Sequence, residues 1–217
     1  QQNHILVGLG GTGGKVLKAF KKRLFQEFTP EERAKLPIGF LYVDTTDEMM
    51  HPGDKSWYVL GENAQFNANE FLFIKGIQLE QIFANPSSYP GLKGVVGDPE
   101  VMQKSIGTLG VAAGQMRRAG RILFGANVSM YRAAMENVYK RVSEISKASG
   151  TCIYIFGGLA GGTGSGSIVD VVAQTRMIPA FKGEYQTTSG GKAVGTNIVA
   201  YTMIPEITPP AGSDEGR

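Results

Sequence analysis

The sequence predicts an α/β fold in which a parallel sheet carries helices on both faces. Three observations support this. Short apolar runs of strand length alternate with amphipathic stretches of helical length. The runs end at glycine or at small polar residues. The 30 glycines, roughly twice the usual ~7%, gather at 8–14 and 157–166, each time between a strand-like run and a helical one. Alternation of this kind builds parallel sheets flanked by helices. Clustered glycine marks a backbone that turns sharply or lies close to something.

Residues 4–7 (His-Ile-Leu-Val) read as a buried strand ending at Gly8. The spacing predicts a helix over 15–28, with Val16, Leu17, Phe20, Leu24 and Phe28 on one face. Lys18, Lys21, Lys22 and Arg23 lie mostly elsewhere and read as a solvated surface. Thr29-Pro30 closes this helix, and 38–43 (Ile-Gly-Phe-Leu-Tyr-Val) is the next strand, ending at Asp44-Thr45-Thr46-Asp47. Residues 48 to about 108 hold no sustained period and read as a long insertion with one or two short helices near 69–84. Helical spacing returns after Ala112 and runs to about 148, with an interruption at Gly125 and a terminus at Gly150. Its apolar stripe is Val128, Tyr131, Met135, Val138, Val142 and Ile145. A strand at 151–156, a helix at 168–177, a polar loop at 183–193 and a strand at 196–204 complete the order.

Composition excludes several functions. With 22 basic and 19 acidic residues the net charge is +3, too weak to argue for nucleic acid or a membrane surface. No apolar run reaches the ~18 residues of a membrane span. Cys152 is the sole cysteine, which rules out an internal disulfide and fits a reducing, cytoplasmic setting. Two distant histidines, His4 and His51, make a histidine-based metal site a poor expectation. The chain opens at Gln1 on a strand, without an initiator Met or a signal sequence, and is expected to begin inside a longer protein.

The chemistry is expected in the two glycine clusters, because sheets of this type bind ligands beyond the carboxyl ends of their strands. In the first, Gly8, Gly10 and Gly13 match GxGxxG, with Gly11 and Thr12 between. Bare backbone there lets amides approach a phosphate at the positive end of the following helix. Asp44, about thirty residues on, is where a dinucleotide enzyme would hold ribose hydroxyls, so an NAD(P)-binding oxidoreductase domain is one reading. Asp44 or Asp47 capping a helix is another. The second cluster, 157–167, favours a different ligand. It also leaves a strand and enters a helix, and Thr163, Ser165 and Ser167 add hydroxyl donors. Two cradles suit a chain of phosphates gripped from both sides. GxxxxGK[ST] occurs at neither cluster, which rejects the ordinary P-loop: Lys15 is followed by Val16 instead of a hydroxyl.

With both clusters in view the chain resembles the tubulin and FtsZ superfamily. Gly161-Gly162-Thr163-Gly164-Ser165-Gly166 is similar to that family's signature loop, and Gly8–Gly14 to its first phosphate loop. Tyr42-Val43-Asp44-Thr45 resembles the segment ending its second strand. Ala112-Ala113-Gly114-Gln115, with Gly120-Arg121 beyond, resembles the loop over the terminal phosphate. Thr202–Arg217, ending in Glu215-Gly216-Arg217, is a looser match to the ribose loop. Leu159-Ala160, where plain glycines are expected, and the long insertion suggest a divergent bacterial member.

The resemblance implies a Rossmann-like GTPase domain over 1–217, without the C-terminal half of the family pattern. It implies GTP or GDP as ligand, Mg²⁺ held mainly by phosphate oxygens, and head-to-tail homo-oligomers or filaments. The expected contacts are Gly10, Gly11, Thr12, Gly13, Asp44, Thr45, Gly114, Gln115, Gly161, Gly162, Thr163, Gly164, Ser165 and Gly166. Arg117, Arg118 and Arg121 are candidates to offset phosphate charge. Catalytic residues are not assigned, since hydrolysis in this family is completed between subunits. A scaffold that keeps the fold for protein contacts alone is the further alternative.

Overall fold

The computed structural model describes residues 2–74, 79–92, 94–98, 100, 101, 104 and 117–205. Its strands are β1 (Asn3–Leu9), β2 (Ile38–Asp44), β3 (Tyr58–Val59), β4 (Glu62–Asn63), β5 (Phe71–Phe73), β6 (Gly150–Gly158), β7 (Gln186–Thr187) and β8 (Ala193–Met203). Its helices are α1 (Gly10–Glu27), α2 (Pro30–Arg33), α3 (Leu79–Ala84), α4 (Arg117–Ala126), α5 (Val128–Ser146) and α6 (Thr163–Met177). Six strands form one sheet in the order β5-β2-β1-β6-β8-β7, and only β7 runs antiparallel to its neighbour.

The sheet has two differently dressed faces because alternate residues of each strand point opposite ways. Ile5, Val7 and Leu9 of β1, with Leu41, Val43, Ile153 and Ile155, pack against α4, α5 and α6 in the larger core. Leu6, Phe40 and Tyr42 face the other way, onto Leu17 of α1, Trp57 and Phe66. Helices on both faces of a nearly parallel sheet are therefore observed, as the alternation predicts.

The differences from the sequence reading have physical causes. Helix α1 starts at Gly10, not near residue 15, and α6 starts at Thr163, not near 168. Glycine is a poor helix former, so propensity hides first turns that tertiary contacts impose. The range 69–84 divides into strand β5 and helix α3; three residues, Phe71-Leu72-Phe73, are too few to show alternation. The stretch after Ala112 is broken at Asn127 into α4 and α5. Helix α5 ends on Lys147 in the left-handed conformation (φ 52°), while Gly150 opens β6. Ile145 is exposed, but Tyr131, Met135, Val138 and Val142 are buried as predicted.

On α1 the buried line is Gly10, Gly13, Gly14, Leu17 and Lys21; of the predicted stripe Leu17 is buried and Leu24 packs against the same core, while Phe20 is exposed. Lys21 is no surface lysine: its ammonium meets Glu70 at 2.5 Å and the Gln65 carbonyl at 3.2 Å. Among the described residues no helix is long and apolar enough to cross a membrane.

Candidate functional site

Strand β1 lies between β2 and β6, so the chain winds outward from it in both directions. The chain leaves the paired carboxyl ends of β1 and β6 toward opposite faces of the sheet, and the crevice beyond such ends is where these sheets take ligands. Here β1 passes directly into α1, and β6 passes through Leu159–Gly162 into α6. Two helix N-termini thus converge on one crevice of ≈ 380 Å³, lined by Leu9, Gly10, Gly11, Thr12, Asp44, Thr45, Thr46, Glu48, Gly158, Gly161, Gly162, Thr163 and Gly164.

The first turn of a helix has amides without intrahelical partners. At α2, on the surface, Thr29 and Glu32 satisfy them with a reciprocal capping box. At α1 and α6 the N-cap residues, Leu9 and Gly162, provide no side-chain cap. Both helices therefore bring uncapped amides and the positive end of the helix dipole to the same crevice.

The glycines fall into two groups. Some are required by packing. A methyl on Gly13 would lie 2.4 Å from the Phe156 carbonyl oxygen, and one on Gly164 2.9 Å from that of Leu9. Gly10 has φ +65°, a conformation that disfavours side chains. Gly11 and Gly161 differ: their φ values are not positive, and a methyl on either would meet nothing within 4 Å. Both line the crevice. No packing contact and no positive φ calls for glycine at these two positions.

The hydroxyls of the second cluster turn inward. Ser165 donates to the Gly161 carbonyl, and Ser167 donates to that of Thr163 at 2.6 Å. Thr163 lies 3.0 Å from the Thr45 hydroxyl and 3.4 Å from Asp44 Oδ1. The donors left to the crevice are mainly backbone amides.

Asp44 is buried, and both its oxygens are occupied. Oδ2 accepts from the Tyr42 hydroxyl at 2.5 Å and Oδ1 from the Thr45 amide at 2.7 Å. Burial pushes its carboxyl above the usual carboxylate range, against hydrogen bonds from Tyr42, Thr45, Thr46 and Thr163. Burial, and then the Asp44 charge, raises the Tyr42 phenol in turn. The arginines proposed to face phosphate are elsewhere: Arg117 donates to the Leu159 carbonyl at 2.8 Å, and Arg121 binds Asp170 through two nitrogens at 2.7 and 3.2 Å. No basic residue lines the crevice among the described residues.

The structure brings Gly10, Gly11, Thr12, Asp44, Thr45, Gly161, Gly162, Thr163 and Gly164 together on the crevice wall. Gly13, Ser165 and Gly166 stand in the first turns of α1 and α6 without lining it. Gly114, Gln115 and the segment 206–217 lie outside the described residues. Glu48 and Thr46 line the crevice but escape the sequence reading, because no motif marks them. A short turn at Glu48–Met50 brings Glu48 there.

A nearly parallel sheet with two glycine-rich strand-to-helix turns meeting at its switch point defines a nucleotide-fold α/β domain of the tubulin type. The family described as tubulin like matches residues 5–217, and the chain belongs to it. A search of curated proteins gives no match.

Proposed function

We propose that this chain is the guanine-nucleotide-binding domain of a tubulin-like assembly protein. The observation that carries the proposal is the pair Gly11 and Gly161, bare toward open crevice space between two uncapped helix N-termini. Phosphates lie against the amides of Gly10–Gly13 on one side and Gly161–Gly164 on the other. The amides hold them by position and partial charge, in keeping with a wall that has no arginine or lysine among the described residues.

Mg²⁺ fits this wall only as a companion of the phosphates. Among the described residues no cluster of three His, Cys, Asp or Glu could hold a metal by itself. Glu48, exposed at the crevice, is better disposed as its outer partner than buried Asp44, while Asp47 does not line the crevice. Bound there, the ion would offset phosphate charge. The occupied state of Asp44 argues against the dinucleotide reading, which needs a carboxylate free for ribose hydroxyls. Guanine as the base, and nucleotide-controlled contact with further copies, are proposed by analogy with the family. Gly114 and Gln115 are proposed to close over the terminal phosphate, and hydrolysis to need a residue from a neighbouring subunit.

Calorimetric titration with GTP, ATP and NAD, with and without Mg²⁺, tests this. GTP uptake that is strengthened by Mg²⁺ and lost in Gly161→Leu is expected. Uptake of NAD alone, or of GTP undiminished in Gly161→Leu, would overturn it.

A further inference from the structure

We infer that Asp44 is a positioning residue that acts through Thr163 to set the phosphate-binding turn of α6, with Tyr42 as its anchor. This rests on the nucleotide reading above and assigns the carboxylate a role other than touching ligand.

The geometry is a chain of contacts across three elements. The Tyr42 ring is fully buried beneath α1, where a methyl on Gly14 would lie 2.5 Å from its Cε2. Its hydroxyl donates to Asp44 Oδ2 at 2.5 Å. On its other oxygen Asp44 accepts from the Thr45 amide at 2.7 Å and from the Thr163 hydroxyl at 3.4 Å, and the two threonine hydroxyls lie 3.0 Å apart. Thr163 is the first residue of α6, and its buried side chain is the link from that helix's first turn to β2. Fixing this hydroxyl fixes the direction of the adjoining amides, including Gly164 N, which packs so closely against Gly10 that a methyl on Gly10 would lie 3.2 Å from it. Phosphate affinity depends on where those amides point, because the described wall carries Asp44 and Glu48 and no cationic side chain, which leaves oriented amides to hold an anion.

A relay differs from two separate structural contacts in one measurable way: its members are non-additive. GTP–Mg²⁺ affinity is measured by calorimetry for the wild type, Asp44→Ala, Thr163→Val and the double variant, with thermal unfolding of each. Each single change is expected to weaken binding about tenfold, and the double change about tenfold as well. Asp44→Asn and Thr163→Ser, which keep an acceptor and a hydroxyl respectively, are expected to stay within about threefold of wild type. Wild-type affinity in either Asp44→Ala or Thr163→Val, or an additive, hundredfold loss in the double variant, overturns the relay while leaving the nucleotide reading intact. Should Asp44→Ala fail to fold, Thr163→Val against Thr163→Ser decides: equal affinities overturn the inference. A wild type that takes up no GTP removes the nucleotide reading and the inference with it.

Discussion

The Lys21 ammonium and the Glu70 carboxylate meet at 2.5 Å with both side chains about nine-tenths buried, tying α1 to the segment that leads into β5. Phe40 and Phe66 flank the lysine, with ring centroids 5.7 and 5.3 Å from its nitrogen. Glu70 also accepts from the Asn67 amide and lies 3.9 Å from Arg141. Removing one partner of a buried pair leaves the other charge uncompensated, at about 3–5 kcal/mol. Arg141 tempers that, so Lys21→Met is expected to cost about 3 kcal/mol in urea unfolding. Lys21→Met with Glu70→Gln is expected to recover part of the loss.

Asp44 gives stability a pH dependence. Its folded carboxyl binds protons more readily than the unfolded one, because burial raises its affinity. Between the unfolded value and the raised folded value, the native state therefore holds more protons, and stability falls as pH rises through that window. The cost is absent below the unfolded value and complete above the folded one. Tyr42, which hydrogen-bonds to Asp44, also feels the Glu48 charge. Thermal midpoints measured from acid to neutral pH are expected to fall less in Asp44→Asn than in the wild type.

The glycines should separate by substitution. Gly13→Ala forces a methyl between the Phe156 carbonyl and the backbone of Gly8 and is expected to cost about 2–3 kcal/mol by overpacking. Gly11→Ala and Gly161→Ala have open space and are expected to unfold within about 0.5 kcal/mol of wild type. Urea midpoints check both. Equal losses at Gly13 and Gly161 would remove the distinction between packing and crevice glycines.

The β3–β4 hairpin turns on Leu60 and Gly61, with φ 50° and 85°. Both values suit an Asn-Gly turn, and Leu60 is 83% exposed, so its side chain contributes little packing. Leu60→Asn is expected to stabilise the chain by about 1 kcal/mol, read as a higher urea midpoint.

Where the sequence was legible, one local signal sufficed. β1, β2 and β6 are apolar runs that end beside glycine or aspartate, and their order fixed the parallel sheet and its crevice. The glycine turns could be placed because clustered glycine marks backbone that turns sharply or lies close to a neighbour, as at Gly10, Gly13 and Gly164. What escaped depends on distant partners. Lys21 reads as a surface lysine until Glu70 arrives from 49 residues away. Asp44 reads as a ribose contact or a helix cap until Tyr42 and Thr163 occupy it. β5 is three residues long and exists because β2 offers an edge. Glu48 reaches the crevice by a turn that no spacing announces.

Helices α4 and α6 approach without side chains between them at two points. A methyl on Gly120 would lie 2.2 Å from the Gly162 carbonyl oxygen, and one on Gly166 would lie 2.1 Å from that of Arg117. Ordinary helix contacts pass through flexible side chains that yield like padding. This one is backbone on backbone, with nothing compressible in the joint. A tilt of the turn at Gly162 is therefore expected to carry α4 with it, and to be felt at Arg117, whose guanidinium holds the Leu159 carbonyl of the same loop.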